Sequence, residues 1–345
     1  MLHDFKRGAV KTLVILLLLV GGAVAGAWLG GETWLARKAQ AMIAEDPRIE
    51  AASVTPLREI DRIGLGLTAV EIATPAGEAV LPQVELWAAP TSPTQFHAAL
   101  PPAMTLPVMG RPLAVTAADA VLSLRLSPGS DMAISRAAAA SGPVTIEGHA
   151  LLEGLDARAQ MVAMGAAAPR DARAAYDLRG SLRDLTGVGL LPRPPALADR
   201  AISVEGTARV FLTAPFRQAA DAPQPQFVGL SSDGVTLTLG DQSLRIAGTV
   251  RMGEDGRAEG AAFVYTTDAR AWLQLAADLG ALPAVTVALA DTALQQAAET
   301  PVDLPAGVPA PAEPATGELR VPLIFRDGKT FLGPLPLGEA PMFPA

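Results

Sequence analysis

The sequence has no cysteine, which excludes disulfides, thiolate catalysis, iron–sulfur clusters and cysteine-ligated zinc. Aromatic residues make up only 4% of the 345 positions. The apolar half of the chain is therefore small-residue mass, much of it alanine, suited to thin sheets rather than an aromatic-lined pocket. No basic block follows the first dozen residues and the net charge is −8, so nucleic acid is not an expected partner. The three histidines, His3, His97 and His149, stand far apart. No metal triad or Ser-His-Asp arrangement can be read from them. What is plentiful is glycine and proline, 32 and 30 residues, a turn-rich composition that points to a mainly β chain.

One long apolar run stands out. After Lys6, Arg7 and Lys11 comes LVILLLLVGGAVAGAWL, Leu13 to Leu29, seventeen residues without a charge. With Ala9 and Val10 it approaches the roughly 20 residues that a bilayer requires. Positive charge precedes it and Glu32 follows, so an anchor with a cytoplasmic N-terminus is expected. Ala23-Val24-Ala25 and Ala25-Gly26-Ala27 also fit a signal-peptide cleavage pattern, which leaves a second reading open. The anchor reading is supported by helical spacing beyond the run, with Leu35, Ala39, Met42 and Ile43 on one face. Trp28 and Trp34 suit the interfacial aromatic belt. Both readings place the rest of the chain across the membrane from the cytoplasm.

Beyond residue 54 the pattern alternates. Residues 60–88 read as a hairpin: Ile63, Leu65, Leu67 and Ala69 share one face, Thr74-Pro75-Ala76-Gly77 turns, and Val80, Val84 and Leu86 return. TSPTQFHAALPPAM reads as a proline-punctuated connection. LAVTAADAVLSLRLS reads as a strand pair, clearest at Val121–Leu126. Weaker strands are expected at 144–152, 157–164 and 172–178, and the alanine run 137–140 reads as strand or loop. The second half is clearer: Ile202 and Val204, Val210 and Leu212, Val235, Leu237 and Leu239, then Leu244 and Ile246 alternate. Gly240-Asp241 and Glu254-Asp255-Gly256 make the turns of an antiparallel meander. Thr267 or Asp268 caps a helix striped by Trp272, Leu275, Ala276 and Leu279 and ended by Gly280. Pro283 opens a second helix to about Glu299. ETPVDLPAGVPAPAEPATG reads as a tether, and ELRVPLIF-RDG-KTFLGPL as the closing strand pair.

The chemical motifs dissolve on inspection. Gly328-Lys329-Thr330 spells the end of a phosphate loop, but the position five residues before Gly328 is Leu323, not glycine. Two prolines follow where a helix would have to begin. Asp327-Gly328 is a hairpin turn. GLGLTA at 64–69 lies within strand alternation, not between a strand and a helix. Acidic pairs such as Glu254/Asp255 fall in turns, where a solvated carboxylate is the ordinary state. No catalytic, metal-binding or cofactor-binding residue is singled out, no cofactor is implied, and an enzyme is not expected.

The chain resembles the alphaproteobacterial membrane-anchored proteins of domain-of-unknown-function family 2125. The resemblance rests on the N-terminal anchor with its Trp-containing helix, on LRIAGTVRMGEDGRAEGAAFVYTTDARAWLQLAADLG, and on the closing RDGKTFLGPLPLGEAP. A looser resemblance, in the strand, Asp-Gly turn, strand and amphipathic helix unit, is to AsmA-like envelope proteins. That likeness implies an N-terminal transmembrane helix followed by a large curved antiparallel sheet, half open, with a few covering helices. The expected organisation is a cytoplasmic tip and anchor (1–30), a membrane-proximal amphipathic helix (31–46), a periplasmic β domain (47–300), a Pro-rich tether (301–316) and a C-terminal hairpin and tail (317–345). The expected role is that of an inner-membrane envelope protein holding or conveying membrane lipid along an apolar sheet, or a scaffold without lipid cargo. Neither resemblance implies a catalytic residue.

Overall fold

A computed structural model describes most of residues 37–343; the stretches 187–196, 218–223, 280–286 and 300–303, with a few isolated positions, lie outside it. The expected anchor Leu13–Leu29, Trp28, Trp34, Leu35 and Met42 also lie outside the described residues. Among the described residues no helix is long and apolar enough to cross a membrane. Arg37, Ala39, Gln40, Ala41, Ile43 and Glu45 are helical. Ala39 and Ile43 are buried, as their shared face predicts.

The rest of the described chain is mainly β, and its strands pair antiparallel in two compact units. The first comprises residues 1–158 with 217–220, the second 159–216 with 221–345. Strands β1 (Ile49–Arg58), β2 (Ile63–Thr74) and β3 (Gly77–Ala88) begin the first unit and pair in order. β3 then serves two partners, because one strand edge is long enough to be shared end to end. Glu85–Ala88 bonds to β4 (Gln95–Ala99), while Val80 faces β5 (Ala103–Val108). One arm continues through β7 (Val121–Ser127) to β8 (Ala133–Ser141). The other runs through β6 (Arg111–Ala117) and β9 (Val144–Ile146) to β10 (His149–Leu152). Leu65, Leu86, Phe96, Leu124, Val115 and Ile146 are all buried, so both arms of the fork carry core.

Several expectations change here. The supposed connection 91–104 contains β4, whose Phe96 and Ala98 point into the core while His97 points outward. β6 and β7 are adjacent in sequence but do not pair with each other; they belong to different arms. The strand expected over 144–152 is a hairpin, turned by Glu147 and Gly148 at φ 50 and 77. Ala69 does not share the face of Leu65 and Leu67. It is exposed at φ 46, and the ladder skips the Ala69/Pro82 position. Pro82 has no N–H to offer the ladder, and the left-handed residue opposite it turns the peptide plane. Both strands change phase there, so Val70, Ile72, Ala79 and Leu81 are buried along with Leu65, Leu67, Val84 and Leu86.

β11 (Gly154–Val162) carries the chain into the second unit. There β12 (Ala174–Leu185), β13 (Ile202–Leu212), β14 (Phe227–Leu239), β15 (Gln242–Met252), β16 (Ala258–Thr266), β17 (Leu319–Arg326), β18 (Lys329–Leu332) and β19 (Leu335–Glu339) pair strictly in sequence order. This is the expected meander. Asp327 and Gly328 form the tight β17–β18 turn at φ 52 and 68, the two positive angles that a type I′ hairpin requires. Between β16 and β17 come α1 (Ala269–Asp278) and α2 (Val287–Glu299). Asp268 caps α1 by accepting from the Ala271 N–H, and Leu275 of the expected stripe is buried. Gly280 and Pro283 lie outside the described residues.

Candidate functional site

The second sheet has two unlike faces, and strand register decides which residues make each. Pairing aligns Leu182, Val204, Leu237 and Leu244 in one row across β12–β15. In the next row Gly180 and Gly206 face each other and Val235 and Ile246 continue the line. Leu178 with Ala208, and then Tyr176, Val210, Leu230 and Val250, extend the same face. None of these side chains is charged. The other face carries Asp177, Arg209, Glu205, Thr207, Thr236 and Arg245. There the Arg209 guanidinium donates two bonds to Asp177, 2.6 and 3.0 Å, and Ser231 meets Thr249 at 3.0 Å. Alternation along a strand forces this division, and bulges on β12 near Asp184 and on β14 at Asp233-Gly234 keep it in phase.

The apolar face is covered unevenly. At the β16–β18 side, Leu294 of α2 packs with Val264, Leu319, Val321, Leu323 and Leu332. The Trp272 indole N–H donates to the Ser243 carbonyl at 3.3 Å, which fastens α1 at the head of β15. The Pro-rich segment read as a tether packs against the opposite face. Leu304 and Val308 lie on the cluster of Ala247, Ala261, Phe263, Tyr265 and Ile324, and the Tyr265 hydroxyl donates to Ala312 at 2.8 Å. β16 and β17 thus have cover on both sides. Across β12–β15, by contrast, Leu178 and Ile246 remain 36% and 42% exposed, and Leu182, Val204, Val235, Leu237 and Leu244 are half-buried.

The two ends of this face differ as well. At the lower end Tyr176, Leu212 and Ala174 are buried, and Phe216 tilts against the Tyr176 ring at 5.6 Å. The Tyr176 hydroxyl accepts from the Phe216 N–H at 3.2 Å, and burial pushes its pKa up. Phe343 stacks on Phe227 at 5.2 Å and so closes that end. The tail carrying Phe343 is stitched down: Phe343 N–H donates to Gly256, Ala258 N–H to Pro341, and Arg257 to Ala340 and Glu339. At the upper end Arg200 donates to the Gln242 amide oxygen at 3.3 Å, beside the paired Ile202, Leu239 and Gln242.

The residues weighed as chemical candidates do not converge. His97 stacks on Trp87 at 5.3 Å and burial lowers its pKa; the Arg62 guanidinium also lies over the Trp87 ring, at 5.4 Å, and is held by Glu59. His149 contacts the Glu147 carbonyl through Nδ1 at 3.0 Å. Among the described residues no three His, Cys, Asp or Glu side chains are grouped to hold a metal. Lys329 and Thr330 flank a hairpin turn, and Glu254 and Asp255 lie in another.

Neither the curated proteins nor the solved structures give a match to this chain. A family model does match, over residues 62–341 and so from β2 to the stitched C-terminal tail. The chain belongs to the family described as an uncharacterized protein conserved in bacteria, DUF2125.

Proposed function

We propose that this is a non-catalytic envelope protein, anchored in the inner membrane by Leu13–Leu29, with its β units on the periplasmic side, that binds lipid acyl chains on the half-open apolar face of β12–β15. One observation supports this above the rest: four rows of aligned side chains, Leu182 to Val250, contain no charge while the reverse face is polar. By strand geometry the face runs about 25 Å along β13 and about 15 Å across four strands. One acyl chain spans half of a hydrocarbon core of about 30 Å, so a chain laid along the strands fits within it. Contiguous apolar ground of a few hundred Å² on a protein marks an interaction site more often than an accident. Burying a methylene there is worth about 0.8 kcal/mol, ample to hold a chain of ordinary length.

The test places a photoreactive residue at Ile246 or Leu178 in the full-length protein, with Glu205 on the reverse face as control, and irradiates living cells. Lipid adducts identified by mass spectrometry at 246 and 178 but not at 205 are expected. Equal labelling at Glu205, or none at either apolar position, would refute lipid binding and leave a scaffold without cargo.

A further inference from the structure

The outer face of the first unit carries a charge arrangement that packing does not explain. Arg125 of β7 and Arg136 of β8 are direct cross-strand partners, and a bulge puts them there. Towards the hairpin end Leu126 pairs with Ile134, a register that would set Ser135 opposite Arg125. The bulge leaves Ser135 unpaired instead, and its hydroxyl donates to the Arg125 carbonyl at 3.1 Å. Like charges directly opposite each other destabilise a sheet, so the bulge holds a costly pairing in place. Leu124 and Leu126 are buried, which turns Arg125 outward, and Arg136 is exposed. Neither guanidinium makes an ion pair or a hydrogen bond among the described residues. The carboxylates on this hairpin and on the strand beside it are already engaged: Asp131 meets Arg217 at 3.5 Å, and Asp156 of β11 meets Arg158 at 2.9 Å. On its other side the row continues to Gln95 of β4, a strand without acidic residues. The next row is His97, held on Trp87, then Ser123 and Ala138, both too small to overhang the arginines.

We propose that Arg125 and Arg136 form a binding site for a terminal phosphate group, with the Gln95 amide at its side. Directly opposed residues of an antiparallel pair stand about 5 Å apart at Cα, so both guanidinia reach one ligand. A phosphate monoester carries roughly two negative charges, one for each arginine, and its oxygens match the planar guanidinium fork bidentately. A carboxylate brings a single charge and would leave part of the repulsion standing. The site belongs to the first unit and does not depend on lipid binding by β12–β15.

The experiment titrates the full-length chain in non-ionic detergent by calorimetry, first with inorganic phosphate and then with phosphatidic acid. Arg125→Gln and Arg136→Gln should each weaken binding about tenfold, the weight of one hydrogen bond to a charged group. The double substitution should abolish it, and Arg125→Lys should keep part of it. Arg111→Gln, on an exposed arginine at the start of β6, should change nothing. Tighter binding of phosphatidic acid, with the same sensitivity to both substitutions, would assign the phosphate to a lipid head group. Equal or weaker binding would assign it to a soluble ligand. Thermal melting separates the site from a structural role. In phosphate-free buffer each glutamine variant should melt no lower than the wild type, because a like-charge pair has been relieved, and added phosphate should raise the wild-type Tm alone. A wild type that binds neither probe, or binding that survives the double substitution, would overturn the site. Glutamine variants that melt lower, beside a wild type that phosphate does not stabilise, would assign the arginines to packing instead.

Discussion

The two units are built from the same kind of strand and reach opposite ends. In the first, β3 divides its edge between β4 and β5, and the branching sheet buries its aliphatic side chains: Leu65 and Leu86 are 0% exposed and Phe96 is 2% exposed. In the second, β12 to β19 follow one another without a branch, and the β16–β18 side receives cover from α2 on one face and the Pro-rich segment on the other. Side chains at equivalent inward positions of β13–β15 remain half-buried. The two units differ in connectivity, and a simple meander has one layer and depends on what is inserted between its strands.

The comparison can be broken first at the buried residues. Leu86→Ala in the forked sheet should cost about 3 kcal/mol through lost burial and an unfilled cavity, while Ile246→Ala should cost less than about 1 kcal/mol. Urea unfolding of the two variants checks this, and equal costs would mean that the face of β15 is as filled as that of β3. Next is the phase change that keeps the forked sheet buried. Ala69→Gly should stabilise modestly and Ala69→Val should cost about 1–2 kcal/mol, because φ 46 is open to glycine and strained for a β-branched residue. Two variants of equal stability would show that the pleat change does not constrain that position. On the second unit, Tyr265→Phe removes the bond to Ala312 and should cost about 1 kcal/mol. Faster proteolytic nicking around residues 304–315 is the sensitive readout. The smallest effect belongs to the polar reverse face. Hydrogen bonding to Arg209 lowers the pKa of Asp177, so the pair contributes stability above the ordinary carboxylate value of 3.8 that is lost as pH falls through the lowered value. Both groups are more than a third exposed, so solvent screening holds the contribution below about 1 kcal/mol. An Asp177→Asn variant should accordingly flatten the acid limb of the stability curve only slightly, and any change at neutral pH beyond that bound would show the pair to be more buried than its exposure indicates.

Legibility in the sequence followed the turns. Asp327-Gly328, Gly240-Asp241 and Glu254-Asp255-Gly256 each carry chemistry that fixes a backbone angle, and the meander followed from them. Glu147-Gly148 is a weaker signal, since glutamate does not favour a positive φ, and the hairpin it makes was read as one strand. β4 was hidden because its five residues lie between Pro93 and Pro101-Pro102, and proline density suggests a connection. The pleat change at Ala69/Pro82 had no local signature except a proline in mid-strand. The candidate site was half legible. The alternation of Ile202, Val204, Val235, Leu237, Leu244 and Ile246 showed that each strand has an apolar side. That these sides stand in shared rows is a matter of register, set jointly by turns and bulges that no single window contains.

The long excursion between β16 and β17 bears on how the second unit is made. β14–β15 and β17–β18 close on two-residue turns, but β17 reaches β16 only after residues 267–318 have been threaded back. Closing a loop of that length costs about 3 kcal/mol more chain entropy than closing a tight turn. β14–β16 should therefore zip early, with the outer edge of β16 left unpaired until the C-terminal strands arrive, a window in which an open edge invites the wrong partner. Pulsed hydrogen exchange during refolding should accordingly protect the amides of Leu244–Val250 before those of Leu319–Phe325. Simultaneous protection would place the closure of β16 with β17 inside the nucleus instead.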